Sequence, residues 1–225
     1  KVYGSDLEGA TGLYFSRAGI SGKLLSSSEQ KFQIKVEPEV PSGVYEVRFV
    51  GALGVSNPRP FVVGSINELI STGDNDSIDK AFPIGRQSVV NATVLARKSQ
   101  WFRLKCEQNE RLLLRLDAES LDSKLDPIMV LRDKEGRRLA RADAKGLIDY
   151  TQPSTGDLYV QIHDSSFAGG VEYFFRVENL SDGAHIDFVF PSAVIDSDQS
   201  KVTLYGRNLP GSELSLFKDA NGRQL

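Results

Sequence analysis

Apolar and polar residues alternate with a period of two in one segment after another of this chain, and no long helical period interrupts them. Phe32, Ile34 and Val36 alternate with Gln33 and Lys35, and Tyr45, Val47 and Phe49 with Glu46 and Arg48. Further on, Phe102, Leu104 and Cys106 alternate with Arg103 and Lys105, and Leu158, Val160 and Ile162 with Tyr159, Gln161 and His163. Successive side chains of a strand point to opposite faces, so this pattern describes strands with one buried face. Turn signals separate them: Pro41-Ser42-Gly43, Gly54 to Pro60, and Asp133-Lys134-Glu135-Gly136. Short strands spaced in this way build sandwiches and jelly rolls. The expected fold class is all-β, as tandem β-sandwiches.

Composition removes several other classes. Hydrophobic residues make up 40% of the 225 positions, enough to offset the entropy of ordering and to argue against disorder. No stretch approaches the roughly 18 uncharged apolar residues of a membrane helix. A net charge of -3 argues against a nucleic-acid partner, which favours a basic excess. The single Cys excludes an intrachain disulfide framework and a Cys-rich zinc site. The length exceeds the usual single domain of about 100–200 residues, so two or three small domains fit it.

An internal repeat supports that division. Val2-Tyr3-Gly4-Ser5-Asp6-Leu7-Glu8-Gly9 matches Leu204-Tyr205-Gly206-Arg207-Asn208-Leu209-Pro210-Gly211 in Tyr, Gly, Leu and Gly, and Phe15 faces Phe217 at the same offset. Gly4 and Gly9 permit a turn that a Cβ would forbid, and Asp6 or Asn208 is expected to bond its own turn backbone. The first residues, Lys1-Val2-Tyr3, read as a strand entered midway, and Asn221-Gly222 is a hairpin signal followed only by a stub. The chain therefore reads as a segment of a longer protein. The expected organisation is an Ig-like domain over residues 1–64, an acidic linker over 65–85, a jelly roll over 86–178 and the start of a second Ig-like domain over 181–225.

The first segment resembles the TIG/IPT family of immunoglobulin-like domains. The matching residues are Tyr3-Gly4-Ser5-Asp6-Leu7, Pro41-Ser42-Gly43-Val44-Tyr45 and Gly54-Val55-Ser56-Asn57-Pro58, and the family's first strand has no counterpart here. Residues 86–178 resemble the bacterial pre-peptidase C-terminal domain. That likeness is carried by Trp101-Phe102-Arg103-Leu104, Ser123-Lys124-Leu125-Asp126-Pro127, Leu131 to Gly136, Gly156-Asp157-Leu158-Tyr159-Val160 and Tyr173-Phe174-Phe175, in unbroken order. The resemblance implies a jelly roll of secreted and surface bacterial proteins, often accessory to a hydrolase, that in some members binds calcium and contacts an extracellular polymer.

Chemistry is sparse. There is no Gly-x-Ser-x-Gly elbow, His-Glu-x-x-His, phosphate loop or Gly-x-Gly-x-x-Gly. His163 beside Asp164 reads as a strand histidine, and Cys106 as a buried apolar residue with an inert thiol. Trp101 shares the outward face of its strand with Arg103 and Lys105, an aromatic among cations that suits a sugar ring or a partner side chain. No motif implies a cofactor; calcium is the candidate, because it takes 6–8 oxygens from carboxylates and carbonyls in turns. Asp74 to Asp79 fails as an EF-hand loop, having Asp79 where Gly is required and Gly85 where Glu is required. Lys98 and Gln100 stand where the resembled family carries Asp-x-Asp. The calcium candidates are then Asn75, Asp76, Asp126, Asp143 and Asp149.

These readings lead to a non-catalytic segment of a large secreted or cell-surface bacterial protein, serving as spacer and as binding or assembly module. The alternative is a polymer-binding accessory of a secreted hydrolase whose catalytic domain lies outside this chain. The expected partner is a protein, an extracellular polysaccharide or another copy of the chain, without nucleic acid and without insertion into a membrane.

Overall fold

The structure, a computed structural model, describes residues 1–142, 146–192, 199–209 and 213–217, the backbone alone for 199–201 and 213–217. With 51% strand and 3% helix the chain is all-β, as the alternation predicts. No described helix is long and apolar enough to cross a membrane.

Strands β1 (Gly12–Phe15), β2 (Ile20–Ser26), β3 (Lys31–Val36), β4 (Gly43–Gly51), β5 (Gly54–Val55) and β6 (Arg59–Val63) form one antiparallel sheet in the order β3-β2-β1-β4, with β5 and β6 both on β4. Register sets its two faces. Leu13 pairs with Phe49, Phe15 with Val47 and Tyr45 with Phe61, which gathers the apolar residues on one side. Tyr14 opposite Arg48 and Lys23 opposite Gln33 occupy the other. Phe15 and Phe61 meet edge to face at 5.2 Å. This apolar face overlooks a cleft of about 730 Å³ whose lining includes Phe174 and Arg176 of the next unit.

That unit is a sandwich of two sheets. Its strands are β7 (Asn67–Ile70), β8 (Phe82–Pro83), β9 (Ser88–Thr93), β10 (Gln100–Cys106), β11 (Arg111–Asp117), β12 (Pro127–Arg132), β13 (Arg138–Arg141), β14 (Leu147–Thr151), β15 (Gly156–Asp164) and β16 (Phe174–Asn179). One sheet runs β13-β12-β15-β10-β8 and the other β14-β11-β16-β9-β7. Between them lie Phe102, Leu104, Leu112, Leu114, Leu131, Leu158, Val160, Ile162 and Phe175, each at most 1% exposed. A side chain of this kind stabilises by about 1.5–3 kcal/mol when removed from water, which makes the sandwich the stable centre of the molecule. The hairpin between β12 and β13 turns at Asp133 to Gly136 as expected. Asp133 accepts hydrogen bonds from the backbone N–H of Glu135 and Arg137 at 3.0 and 2.9 Å, and Gly136 has φ +80°. Val171 lies before β16 and is 65% exposed, where the backbone folds into a turn closed by Tyr173 N–H on the Gly170 carbonyl.

The acidic stretch 65–85 is not a free tether. β7 pairs in parallel with β9, and β8 in parallel with β10. A single 3-10 turn, Ile78–Lys80, stands between them. Asn75, 3% exposed, bonds β10 twice at 2.8 Å: its carbonyl accepts from Trp101 N–H and its amide donates to the Trp101 carbonyl. The stretch reads in sequence as a polar linker, and backbone pairing to β9 and β10 satisfies its main-chain groups.

The last sheet has β18 (Gln199–Arg207) between β17 (His185–Phe190) and β19 (Glu213–Phe217). The repeat is visible in the backbone: Asp6 and Asn208 both adopt the left-handed region, at φ 58° and 55°. Gly206 is required by close approach, since a Cβ there would lie 1.9 Å from the His185 carbonyl oxygen. Among the described residues the Asn208 side chain bonds outside its own turn. Its amide donates to the carbonyls of Ser181 and Gly183 at 3.1 and 3.2 Å, fastening the last sheet to the chain that leads into it.

Candidate functional site

β10 positions the residues singled out for binding. Gln100, Phe102, Leu104 and Cys106 turn into the core, so Trp101, Arg103 and Lys105 face outward, Trp101 half-buried and the two cations exposed. Cross-strand register then shows what shares that face. In one row Arg103 pairs with Tyr159 of β15, Tyr159 with Arg132 of β12, and Arg132 with Arg138 of β13. In the next row Trp101 pairs with Gln161, Gln161 with Val130, and Val130 with Arg141. Lys105 stands opposite Asp157.

The sequence reading missed Arg132, Arg138, Arg141 and Tyr159 as members of this face. Arg132 and Tyr159 were within reach, since each continues an alternation. Arg138 and Arg141 were not, because residues three apart on a regular strand point to opposite faces. An irregularity in the β12–β13 pairing at Leu131 and Arg132 brings both to the outer face.

Among the described residues Arg103, Lys105, Arg138 and Arg141 make no ion pair. Arg132 donates to neutral acceptors, Gln161 Oε1 at 2.9 Å and the Gly136 carbonyl at 2.8 Å. Gln161 in turn donates to Ser99 Oγ at 3.0 Å, so the middle of the face is held in place. The outer face of the other sheet is different: Arg115, Glu178, Arg176 and Glu68 pair there in a largely buried chain.

The calcium candidates do not form a donor set. Asn75 Oδ1 accepts from Ser71 Oγ at 2.8 Å. Asp76 is paired with Lys98 at 2.9 Å and Lys80 at 3.2 Å, which hold its carboxyl down at about 2. Asp126 accepts from Ser165 Oγ at 2.6 Å. Asp149, in the opposite sheet, is gripped by Arg111 at 2.8 and 2.7 Å and by Arg207 at 2.7 Å, and lies at about 2 for that reason. At Asp76 and Asp149 lysine and arginine supply the positive charge a metal would bring, so these two carboxylates do not fit calcium as arranged. Asp143 lies outside the described residues. Among those described, no cluster of three or more His, Cys, Asp and Glu is placed to hold a metal.

The remaining reactive side chains are engaged structurally. His163 stacks on Phe167 with ring centres 4.5 Å apart. Asp164 accepts from Ser166 Oγ at 2.7 Å and from the backbone N–H of Asp126, Ser166 and Ala168. Burial raises the Cys106 thiol to about 11, leaving it protonated at neutral pH. Burial also lowers His185, which lies 3.5 Å from Asp187.

No family model and no curated protein matches the chain. Among solved structures, it is similar to PliG of Aeromonas hydrophila, a periplasmic inhibitor of g-type lysozyme, at 10% identity and a TM-score of 0.37, covering 50% of this chain and 98% of that one. It is also similar to the pre-peptidase C-terminal domain of collagenase from Bacillus anthracis, at 11% identity and a TM-score of 0.37, covering 44% and 93%.

Proposed function

We propose that the chain is a non-catalytic segment of a larger secreted or cell-surface bacterial protein, whose β-units serve as spacers and whose sandwich serves as a binding module. The units are residues 1–64, 86–178 and 181–225, with 65–85 sewn onto the sandwich. The observation that carries this reading is the outer face of the β10 sheet, where Arg103, Lys105, Arg132, Arg138 and Arg141 lie together with no ion pair among the described residues, on a chain of net charge -3. Separated charge of that kind steers partners and gives specificity. The resemblance of 86–178 to the pre-peptidase C-terminal domain supports a bacterial, extracellular setting.

The spacer role is supported by polar ties between units. Arg59 pairs with Asp122 at 3.1 Å, and Arg207 with Asp149 at 2.7 Å. Small-angle scattering of the chain at physiological salt tests this reading. A single narrow distribution of interunit distances is expected, and a broad one would remove the spacer.

A further inference from the structure

The cationic face has a geometry as well as a charge. Adjacent strands lie about 4.8 Å apart, so Arg103, Tyr159, Arg132 and Arg138 form a line of about 14 Å across the sheet. A second line, from Trp101 to Arg141, runs beside it at about 7 Å, two residues along the strands. Each line carries an aromatic ring and at least one guanidinium with no ion pair among the described residues. Arg103, Tyr159 and Arg132 lie on interior strands of the sheet, whose backbone is already paired on both sides, so this part of the face offers no backbone ladder to an extended peptide. Tyr159 has a paired strand on each side, and Trp101 lies half-buried in the other line.

We infer that this face binds an acidic polysaccharide of uronate type, lying across the strands from β10 to β13. Such a polymer repeats a carboxylate and an apolar ring face in each sugar. Arg103, Arg132, Arg138 and Arg141 receive the carboxylates, where the planar guanidinium matches both oxygens. Tyr159 and Trp101 receive the ring faces. The strand spacing is close to the length of one sugar ring, so charge can meet charge along the line. An acidic peptide carries the charge without the rigid ring faces. The inference rests on the binding-module reading above and gives it a ligand.

The test is affinity electrophoresis and calorimetry of the whole 225-residue chain with polygalacturonate, its methyl ester, a neutral β-glucan, poly-glutamate and a single-stranded oligonucleotide. Polygalacturonate is expected to bind, with affinity falling as salt rises, and the methyl ester at least roughly tenfold more weakly. The double variant Arg103→Glu/Arg138→Glu is expected to lose about tenfold or more, while Lys23→Glu/Lys35→Glu, the same charge change on the first sheet, leaves binding as it was. Trp101→Ala is expected to weaken binding even at high salt, where the cations are screened. Far-UV circular dichroism establishes that each variant is folded. Equal binding of acid and ester overturns the inference, as does poly-glutamate or the oligonucleotide binding as tightly as polygalacturonate. If one of those probes binds and the double variant abolishes it, the binding module stands and the sugar chemistry falls. If no probe distinguishes the double variant from the parent, both fall.

Discussion

Gln100 and Asp164 sit near each other in the order of the sheet and meet burial in opposite ways. Asp164, 2% exposed, is fully engaged: burial pushes its carboxyl up, and the Ser166 hydroxyl with three backbone N–H groups outweighs that and holds it below the usual range. Gln100 is 0% exposed, and neither amide atom finds a hydrogen-bond partner among the described residues. An unpaired amide costs about 1–3 kcal/mol in a protein interior. Gln100→Leu keeps the shape and removes both polar atoms. It is expected to raise stability by about 1–2 kcal/mol, read as a higher urea midpoint at unchanged slope. A lower midpoint would sink this account of Gln100. Its inward direction was legible from the alternation with Phe102 and Leu104. Its lack of a partner was not, because that depends on the facing sheet.

At the scale of elements, β10 was readable in full and the 65–85 stretch was not. Alternation over Trp101 to Cys106 gives strand, inward face and outward face together. The stretch before it has Asp74, Asp76 and Asp79 close together and no clear period, so local composition pointed to a connector. Its strands are short and pair in parallel with segments further along the chain, which no local pattern records. Asn75 is the clasp. Asn75→Ala removes its bonds to Ser71 and to the Trp101 carbonyl, leaving buried groups unpaired, and is expected to cost about 2 kcal/mol. Hydrogen exchange would show faster exchange at the Trp101 N–H. Unchanged protection there would mean that β7 and β8 hold the stretch without Asn75.

For the whole molecule, Asp149 joins two units that lie far apart in sequence. It accepts from Arg111 of its own sheet and from Arg207 of the last sheet, and Arg207 also pairs with Asp187. The Asp149 carboxyl is lowered from 3.8 to about 2 by Arg111 first and Arg207 next, against burial. A depressed carboxyl stabilises fully above its unfolded value and loses that contribution as pH falls through its folded value. The tie is therefore constant from neutral pH down to about 4 and fades towards about 2. Asp149→Asn is expected to cost about 1 kcal/mol at neutral pH, allowing for partial solvent screening, and to speed proteolysis in β17 and β18. An unaltered cleavage rate at pH 7 would show that Asn208 and its bonds to Ser181 and Gly183 suffice.

What the sequence determined by itself was local and periodic: an all-β chain, the inward set of each alternating strand, the outward Trp101, Arg103 and Lys105, the Asp133–Gly136 hairpin, and a repeat whose Asp6 and Asn208 share one backbone conformation. Only the tertiary structure decided which outward residues become neighbours. It brought Arg132, Arg138 and Tyr159 into line with Arg103, gave Asn75, Asp76 and Asp126 serine or lysine partners, and set Asp149 against Arg111 and Arg207. The physical reason is that a side chain's direction depends on its own backbone, which the local pattern reports. Its neighbours depend on the register between strands distant in sequence, and that is set by packing of the whole sandwich.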